Sequence, residues 1–142
     1  LIDVKITGDL PEVNEDREQV MAAIGDIMLR SVRQNFLEQG RPNSWPPTKS
    51  GGSGMTLIRS GHLFESIQAE WNENEATVFV DTSTVPYALI HNFGGVIQYP
   101  GDGDPYDINM PQREYMMFQD EDITEILELY GNALFTKTEP LQ

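Results

Sequence analysis

The sequence predicts an α+β domain in which one small antiparallel sheet is packed by a long N-terminal helix and a C-terminal helix, with long loops between. Three observations lead there. Apolar residues recur at helical spacing over residues 14–39 and 121–134. They alternate in strand fashion over 1–7 and on both sides of a polar turn at 72–75. Two Gly- and Pro-rich stretches, 41–56 and 96–110, separate these elements.

The strand at the start places Ile2, Val4 and Ile6 on one side and Asp3, Lys5 and Thr7 on the other, and Gly8 and Pro11 break it. The long helix runs from Asn14, as N-cap, to Gln39, with Glu15, Asp16 and Glu18 near its positive end. Its apolar stripe is Val20, Ala23, Ile24, Ile27, Met28, Ser31 and Phe36, and Gly40 and Pro42 stop it, with Gly40 as the C′ residue. In the loop that follows, Pro42, Pro46 and Pro47 stiffen the first half, and Gly51, Gly52, Ser53 and Gly54 make the second half read as a flexible linker. Trp45 either covers the end of the helix or stands out as an anchor for a partner.

Ser60 can cap a short helix over 61–66. A hairpin comes next: Ile67, Ala69 and Trp71 on one strand, the turn Asn72–Glu75, then Ala76, Val78 and Val80 on the other. The run PYALIHNFGG, Pro86–Gly95, reads as a short extended approach, about two turns of helix and a sharp exit at Gly94 and Gly95, where positive φ is expected. Tyr87, Phe93 and one of Leu89 or Ile90 are expected to be at least partly buried. Residues 96–110 read as irregular, 111–118 as a short strand, and Asp120 as the cap of a second helix from Glu121 to about Leu134. The apolar stripe of that helix is Ile123, Ile126, Leu127, Tyr130, Ala133 and Leu134, and residues 136–142 read as a loose tail.

The chain of 142 residues, 39% hydrophobic, suits a single domain over 1–142, with no internal repeat. There is no cysteine, which excludes disulfides, thiolate zinc sites and a cysteine nucleophile. No apolar run reaches the ~20 residues of a membrane span, and no signal-peptide pattern opens the sequence. Its start at Leu1, without Met, is expected of a chain trimmed at its N-terminus. The formal net charge is -14, and almost all of it lies in the second half. Residues 1–63 hold seven Lys/Arg and eight Asp/Glu, whereas 64–142 hold two and fifteen. Such a half repels nucleic acid, so direct nucleic-acid binding is not expected.

No residue set reads as catalytic, and no cofactor or metal is implied. His62 and His91 each lie in a short helix without a second ligand at metal-binding spacing. Asp102, Asp104 and Asp107 fail the calcium-loop pattern: counted from Asp102, Asp107 falls where Gly belongs and Arg113 where Glu belongs. Residues 50–54 lack the Lys-Ser/Thr pair and preceding strand of a phosphate-binding loop.

Trp45 and Pro47, then Leu57, Ser60, Gly61, Leu63, Ser66 and Ile67, then Tyr87, Ala88, His91, Phe93, Gly94 and Gly95 follow one another in a characteristic order over roughly residues 15–135. The pattern resembles the phage virion morphogenesis family, the tail completion proteins of Mu-like and related tailed phages and prophages. Thr48, Ser60 and the Gly/Asp-rich 98–110 depart from its commoner residues. The resemblance implies a fold similar to head–tail joining and tail terminator subunits. It implies no enzyme but a structural protein that completes the tail and enables head–tail joining. Its partners would be copies of itself, as a ring that could be hexameric, and tail tube and neck or connector proteins, with no membrane. It would be assembled in the bacterial host cytoplasm and reside in the tail or neck of the virion. The residues expected at partner or subunit contacts are Trp45, Pro46, Pro47, Tyr99 and Tyr106. Two alternatives stand beside this: an acidic DNA mimic that occupies a basic protein, and a metal-dependent hydrolase using His62 and His91.

Overall fold

The structure, a computed structural model, describes residues 2–7, 17–47, 57 and 62–138, and the side chains of these except 99 and 132–138. The elements in chain order are β1 (Ile2–Thr7), α1 (Arg17–Leu37), α2 (His62–Ser66), β2 (Gln68–Trp71), β3 (Glu75–Val80), α3 (Ala88–Phe93), β4 (Gly95–Tyr99), β5 (Tyr106–Met110) and α4 (Asp120–Thr138). The expected caps Asn14 and Ser60, the stretch 48–56, Gly61 and residues 139–142 lie outside the described residues.

β1, β3 and β2 form an antiparallel sheet in that order. Ile2, Val4 and Ile6 pair with Val80, Val78 and Ala76, and Ala69 and Trp71 pair with Val78 and Ala76. Side chains alternate along a strand, so these residues share one face. That is the alternation visible in the sequence, and the four-residue turn at 72–75 closes as expected. Asn72 fixes it, its side-chain oxygen accepting the N–H groups of Asn74 (2.8 Å) and Glu75 (3.0 Å).

α1 lies across this face and buries Val20, Met21, Ile24, Gly25, Ile27, Met28, Ser31, Val32, Asn35 and Phe36. Gly25 lets the helix approach closely: a Cβ there would sit 3.4 Å from the Trp71 ring and 3.9 Å from the Ala76 Cβ. At the C-terminal end of α1 the Phe36 ring meets Tyr115 (5.0 Å between centroids), Trp45 (5.6 Å) and Phe64 (5.6 Å). Each such pair contributes about 0.5–1.5 kcal/mol beyond its burial.

Several expectations need correction. Residues 96–110 are not irregular. They form a second antiparallel sheet, the β4–β5 hairpin, with Val96 opposite Asn109, Ile97 opposite Ile108 and Tyr99 opposite Tyr106. Apart from Asp107, which lies in β5, the Gly, Asp and Pro residues that suggested a loop fall in its connection, 100–105. Residues 111–118 are not a strand: their backbone bonds go to side chains and to α3 instead of to a neighbouring strand. The left-handed C′ residue of α1 is Gln39 (φ 56°), not Gly40. Gly40 N–H bonds the Asn35 carbonyl (2.7 Å) and Gln39 N–H the Phe36 carbonyl (3.0 Å), which is the Schellman arrangement.

α4 is turned from the expected stripe. Asp122 and Ile126 are buried, with Leu129 and Tyr130 partly so, while Ile123 and Leu127 face outward. Asp122 sets that rotation. Its carboxylate accepts the Ser31 hydroxyl of α1 and the backbone N–H of Gln119 (2.8 Å). Gln119 therefore takes the N-cap position and Asp122 supplies the reciprocal bond of a capping box. Asp120 is the first helical residue, not the cap. The helix also runs to Thr138, so residues 136–138 belong to it and not to a tail.

Candidate interaction surface

Two polar clusters hold the loops against the core. In the first, Arg41 follows α1, and its guanidinium donates to the Asn35 side chain (2.7 Å) and to the Ser31 carbonyl (2.8 Å) and hydroxyl (2.9 Å). It is also 3.3 Å from a Glu121 oxygen and 3.6 Å from Asp122. One cation thus ties the end of α1 to the acidic first turn of α4, where carboxylates also suit the helix dipole. Arg30 and Glu125 add an exposed bidentate pair, both contacts 2.8 Å.

Trp45 covers the end of α1, the first of the two readings open for it. Its ring packs edge-on against Phe36, its indole N–H reaches the Glu114 carbonyl (3.3 Å), and its own N–H bonds the Gln39 carbonyl (2.7 Å). Gly40 is required for this seat: a Cβ at its φ of 110° would lie 2.7 Å from Trp45 Cδ1 and 2.5 Å from the Asn43 carbonyl. Pro46 and Pro47 are exposed.

The second cluster is built on the Pro86–Gly95 run. Asp81 prepares it by accepting Ser83 N–H (2.9 Å) and Oγ–H (2.6 Å), and those bonds hold its carboxyl below the ordinary carboxylate range. Ala88 N–H bonds the Val85 carbonyl (3.1 Å), so Pro86 and Tyr87 occupy the middle of a turn that feeds α3. The helix rests on Tyr115. The Tyr115 hydroxyl donates to the Ala88 carbonyl (2.7 Å), and Asn92 Oδ1 accepts the N–H groups of Tyr115 and Met116 (3.0 Å each). From the other side, Asn35 Nδ2 donates to the carbonyls of Tyr115 (2.7 Å) and Met117 (3.0 Å). Burial pushes the Tyr115 hydroxyl well above its ordinary range, so it stays a donor.

Arg113 is only 4% exposed. Its N–H bonds the His91 carbonyl (2.9 Å), and its guanidinium bonds the carbonyls of Pro46 (2.8 Å) and Pro47 (3.1 Å). It therefore clamps the Pro-rich segment to α3. Burial and the Arg113 charge both push His91 down, so the imidazole is neutral at pH 7. Its buried Nδ1 has no hydrogen-bond partner among the described residues.

At the exit both glycines have positive φ as expected, 71° for Gly94 and 142° for Gly95. A Cβ on Gly94 would meet the Gln112 backbone at 2.9 Å.

The expected burial in this run holds for Ile90 and fails for Tyr87 and Phe93. Ala88 and Asn92 are buried, while Tyr87, Leu89 (44% exposed) and Phe93 (59% exposed) face outward and Ile90 is half-buried. The reason is the close seat on Tyr115, which leaves room beneath α3 only for a methyl group and a bonding amide. Leu89 and Phe93, one turn apart, form an apolar stripe on the solvent side. Past Gly95 the β4–β5 hairpin carries exposed Val96 and Tyr106 and the acids Asp102, Asp104 and Asp107. Its five-residue strands reach about 17 Å. A lone two-stranded hairpin is marginal in water.

The other motif residues divide in the same way. Leu63 is buried, Leu57 packs partly against the core, and Ser60 and Gly61 lie outside the described residues. The Tyr99 backbone is in β4, but its side chain is not among those described. Among the described residues no three His, Cys, Asp or Glu side chains converge on a metal position, and no helix is long and apolar enough to cross a membrane. The sequence reading gives none of Asn35, Arg41, Asn92, Arg113 and Asp122 a bonding role. Only the position of Asn92 inside the PYALIHNFGG run could have pointed to one of them.

No solved structure matches the chain. The Mu-like prophage FluMu G protein 2 of Haemophilus influenzae is 34% identical to it over 119 residues, 84% of this chain and 79% of that protein. The profile of the phage virion morphogenesis family matches residues 5–135 and so takes in both polar clusters and the arm. On these two matches the chain belongs to the phage virion morphogenesis family, and its role is a structural one in building a phage or prophage particle.

Proposed function

We propose that the protein completes the tail of such a particle and makes it competent to join the head, standing at the tail end as an assembly subunit. The observation that carries this is the burial pattern in the Pro86–Gly95 run. Its small and polar residues hold the fold, whereas Leu89 and Phe93 are presented outward beside an acidic arm. A chain that bonded substrate would be expected to converge polar groups in a cleft. Among the described residues, Asn35, Arg41, Asn92, Arg113 and Asp122 instead fix loops and helix ends, and Leu89 and Phe93 turn to solvent. Tail tube and neck proteins are the partners this reading assigns, and Pro46, Pro47 and Tyr106 lie exposed where they can take part.

The test is deletion of the gene from its phage or inducible prophage, followed by electron microscopy of the lysate. Filled heads and separate, unjoined tails are the expected result, with joining restored by the wild-type gene. Normal joined particles from the deletion would refute the role.

A further inference from the structure

The β4–β5 hairpin has two unlike faces. Its pairing puts Val96, Gln98, Asp107 and Asn109 on one face and Ile97, Tyr106, Ile108 and Met110 on the other. On the second face Tyr106 is 52% exposed, and Ile97, Ile108 and Met110 are half-buried. None of these four packs against the main core. They form an apolar sheet face that the core does not cover. Asp102 and Asp104 in the turn and Asp107 on β5 are exposed, and residues 60–112 contain no Lys or Arg to balance them. A Cβ on Gly101 would lie 3.2 Å from the Asp104 carbonyl and 3.4 Å from the Tyr106 ring. The turn that bears Asp102 and Asp104 therefore closes beside that ring, at the end of the apolar face.

We infer that this face docks a segment of a different protein, one that presents apolar side chains flanked by Lys or Arg. The apolar face supplies the contact, and the carboxylates around its tip choose the occupant. Nucleic acid and a second copy of this chain, at a formal charge of -14, are both repelled by that tip, whereas a basic segment is drawn to it. A purely basic segment would leave Ile97 and Ile108 uncovered. A purely apolar one would strip water from the carboxylates without giving them a partner. The inference rests on the assembly role proposed above and gives the chemistry of one partner within it.

The probe is a synthetic peptide of alternating Leu and Lys, titrated into the full isotope-labelled chain and followed by amide NMR shifts. The shifts should concentrate in residues 95–110, and affinity should fall as salt rises. An alternating Ser–Lys peptide should bind about 10-fold more weakly, and a Leu–Glu peptide should not bind. Asp102→Asn, Asp104→Asn and Asp107→Asn together should weaken the Leu–Lys peptide about 10-fold. The same loss of charge at exposed sites elsewhere, Glu70→Gln, Glu73→Gln and Glu128→Gln together, should leave its affinity within about twofold of wild type. Ile108→Ser should weaken it as the Asn set does. The Asn set keeps every side-chain shape, so it reads the surface even where Ile108→Ser opens the hairpin. Absence of binding, shifts centred outside 95–110, a Ser–Lys or Leu–Glu peptide that binds as well as Leu–Lys, or an Asn set that binds like wild type would each overturn the inference. So would shifts in 95–110 when the chain alone is concentrated, because a second copy would then cover the face. The deletion assay is scored on particles, so each proposal can fail alone.

Discussion

Replacing Asn92 by alanine removes one oxygen that serves two buried backbone donors. Asn92 Oδ1 accepts the N–H groups of Tyr115 and Met116, both at 3.0 Å, in a site that is almost wholly enclosed. Alanine has no acceptor, and the site is closed to bulk solvent. Each of the two stranded donors costs about 1–3 kcal/mol, so the variant should lose about 2–6 kcal/mol. Measured against a typical domain stability of about 5–15 kcal/mol, that is a large fraction. Urea unfolding supplies the magnitude, with Asn109→Ala on the exposed face of β5 as a control expected to stay within about 0.5 kcal/mol. Amide hydrogen exchange supplies the location: the Tyr115 and Met116 amides should lose protection first. A variant within about 0.5 kcal/mol of wild type, or one in which those two amides stay as protected as before, would refute the reasoning.

Gly94→Val forces a branched residue into a backbone region used almost only by glycine, with a Cβ 2.9 Å from the Gln112 backbone; unfolding should show a loss of at least about 1–3 kcal/mol. Gly25→Ala should do the opposite. It sits mid-helix, a methyl there meets Trp71 at an ordinary 3.4 Å, and helix propensity favours alanine by about 1 kcal/mol, readable as a raised urea midpoint. His91 is held below its ordinary 6.5 by burial and Arg113, so the unfolded chain takes up its proton first as pH falls. The stability that neutral His91 contributes is therefore complete above pH 6.5 and is lost as pH drops through it. In His91→Gln the fall between about pH 7 and pH 5 should be shallower than in wild type, as followed by unfolding at each pH.

What was legible in the sequence is what periodicity encodes. The alternation of Ile2, Val4 and Ile6 and of Ala76, Val78 and Val80 gave the main sheet, and the spacing from Val20 to Phe36 gave α1 and its buried face. The second sheet was hidden because β4 and β5 are bounded by Gly94, Gly95, Pro100 and Pro105, and because their exposed sides mix Val96 with Gln98, Asp107 and Asn109. Such a pattern resembles a polar loop until pairing reveals it. α4 was placed correctly but rotated wrongly, because hydrophobicity alone puts Ile123 and Leu127 inside. The inward face is chosen instead by a carboxylate, Asp122, whose partners Ser31 and Arg41 lie far away in the chain.

The same cause explains the burial pattern in the Pro86–Gly95 run and decides how its residues should behave. Apolar character marked Tyr87, Phe93 and one of Leu89 or Ile90 as core, yet only Ile90 is half-buried, because the space beneath α3 was already taken by the Tyr115 hydroxyl and two amides seeking an acceptor. One ten-residue run thus holds the fold on one side and presents apolar residues to solvent on the other. Substitutions at Ala88, Asn92 or Gly94 act on the fold, so their loss of assembly should track their loss of stability. Substitutions to polar residues at Leu89 or Phe93 remove exposed apolar surface, so they should leave the unfolding midpoint near wild type while weakening assembly. Plotting assembly against stability for both groups separates them: two distinct trends support the division. A single line through all of the variants would mean that the outward residues matter only through the fold, and the surface assigned to Leu89 and Phe93 would then have no assembly role of its own.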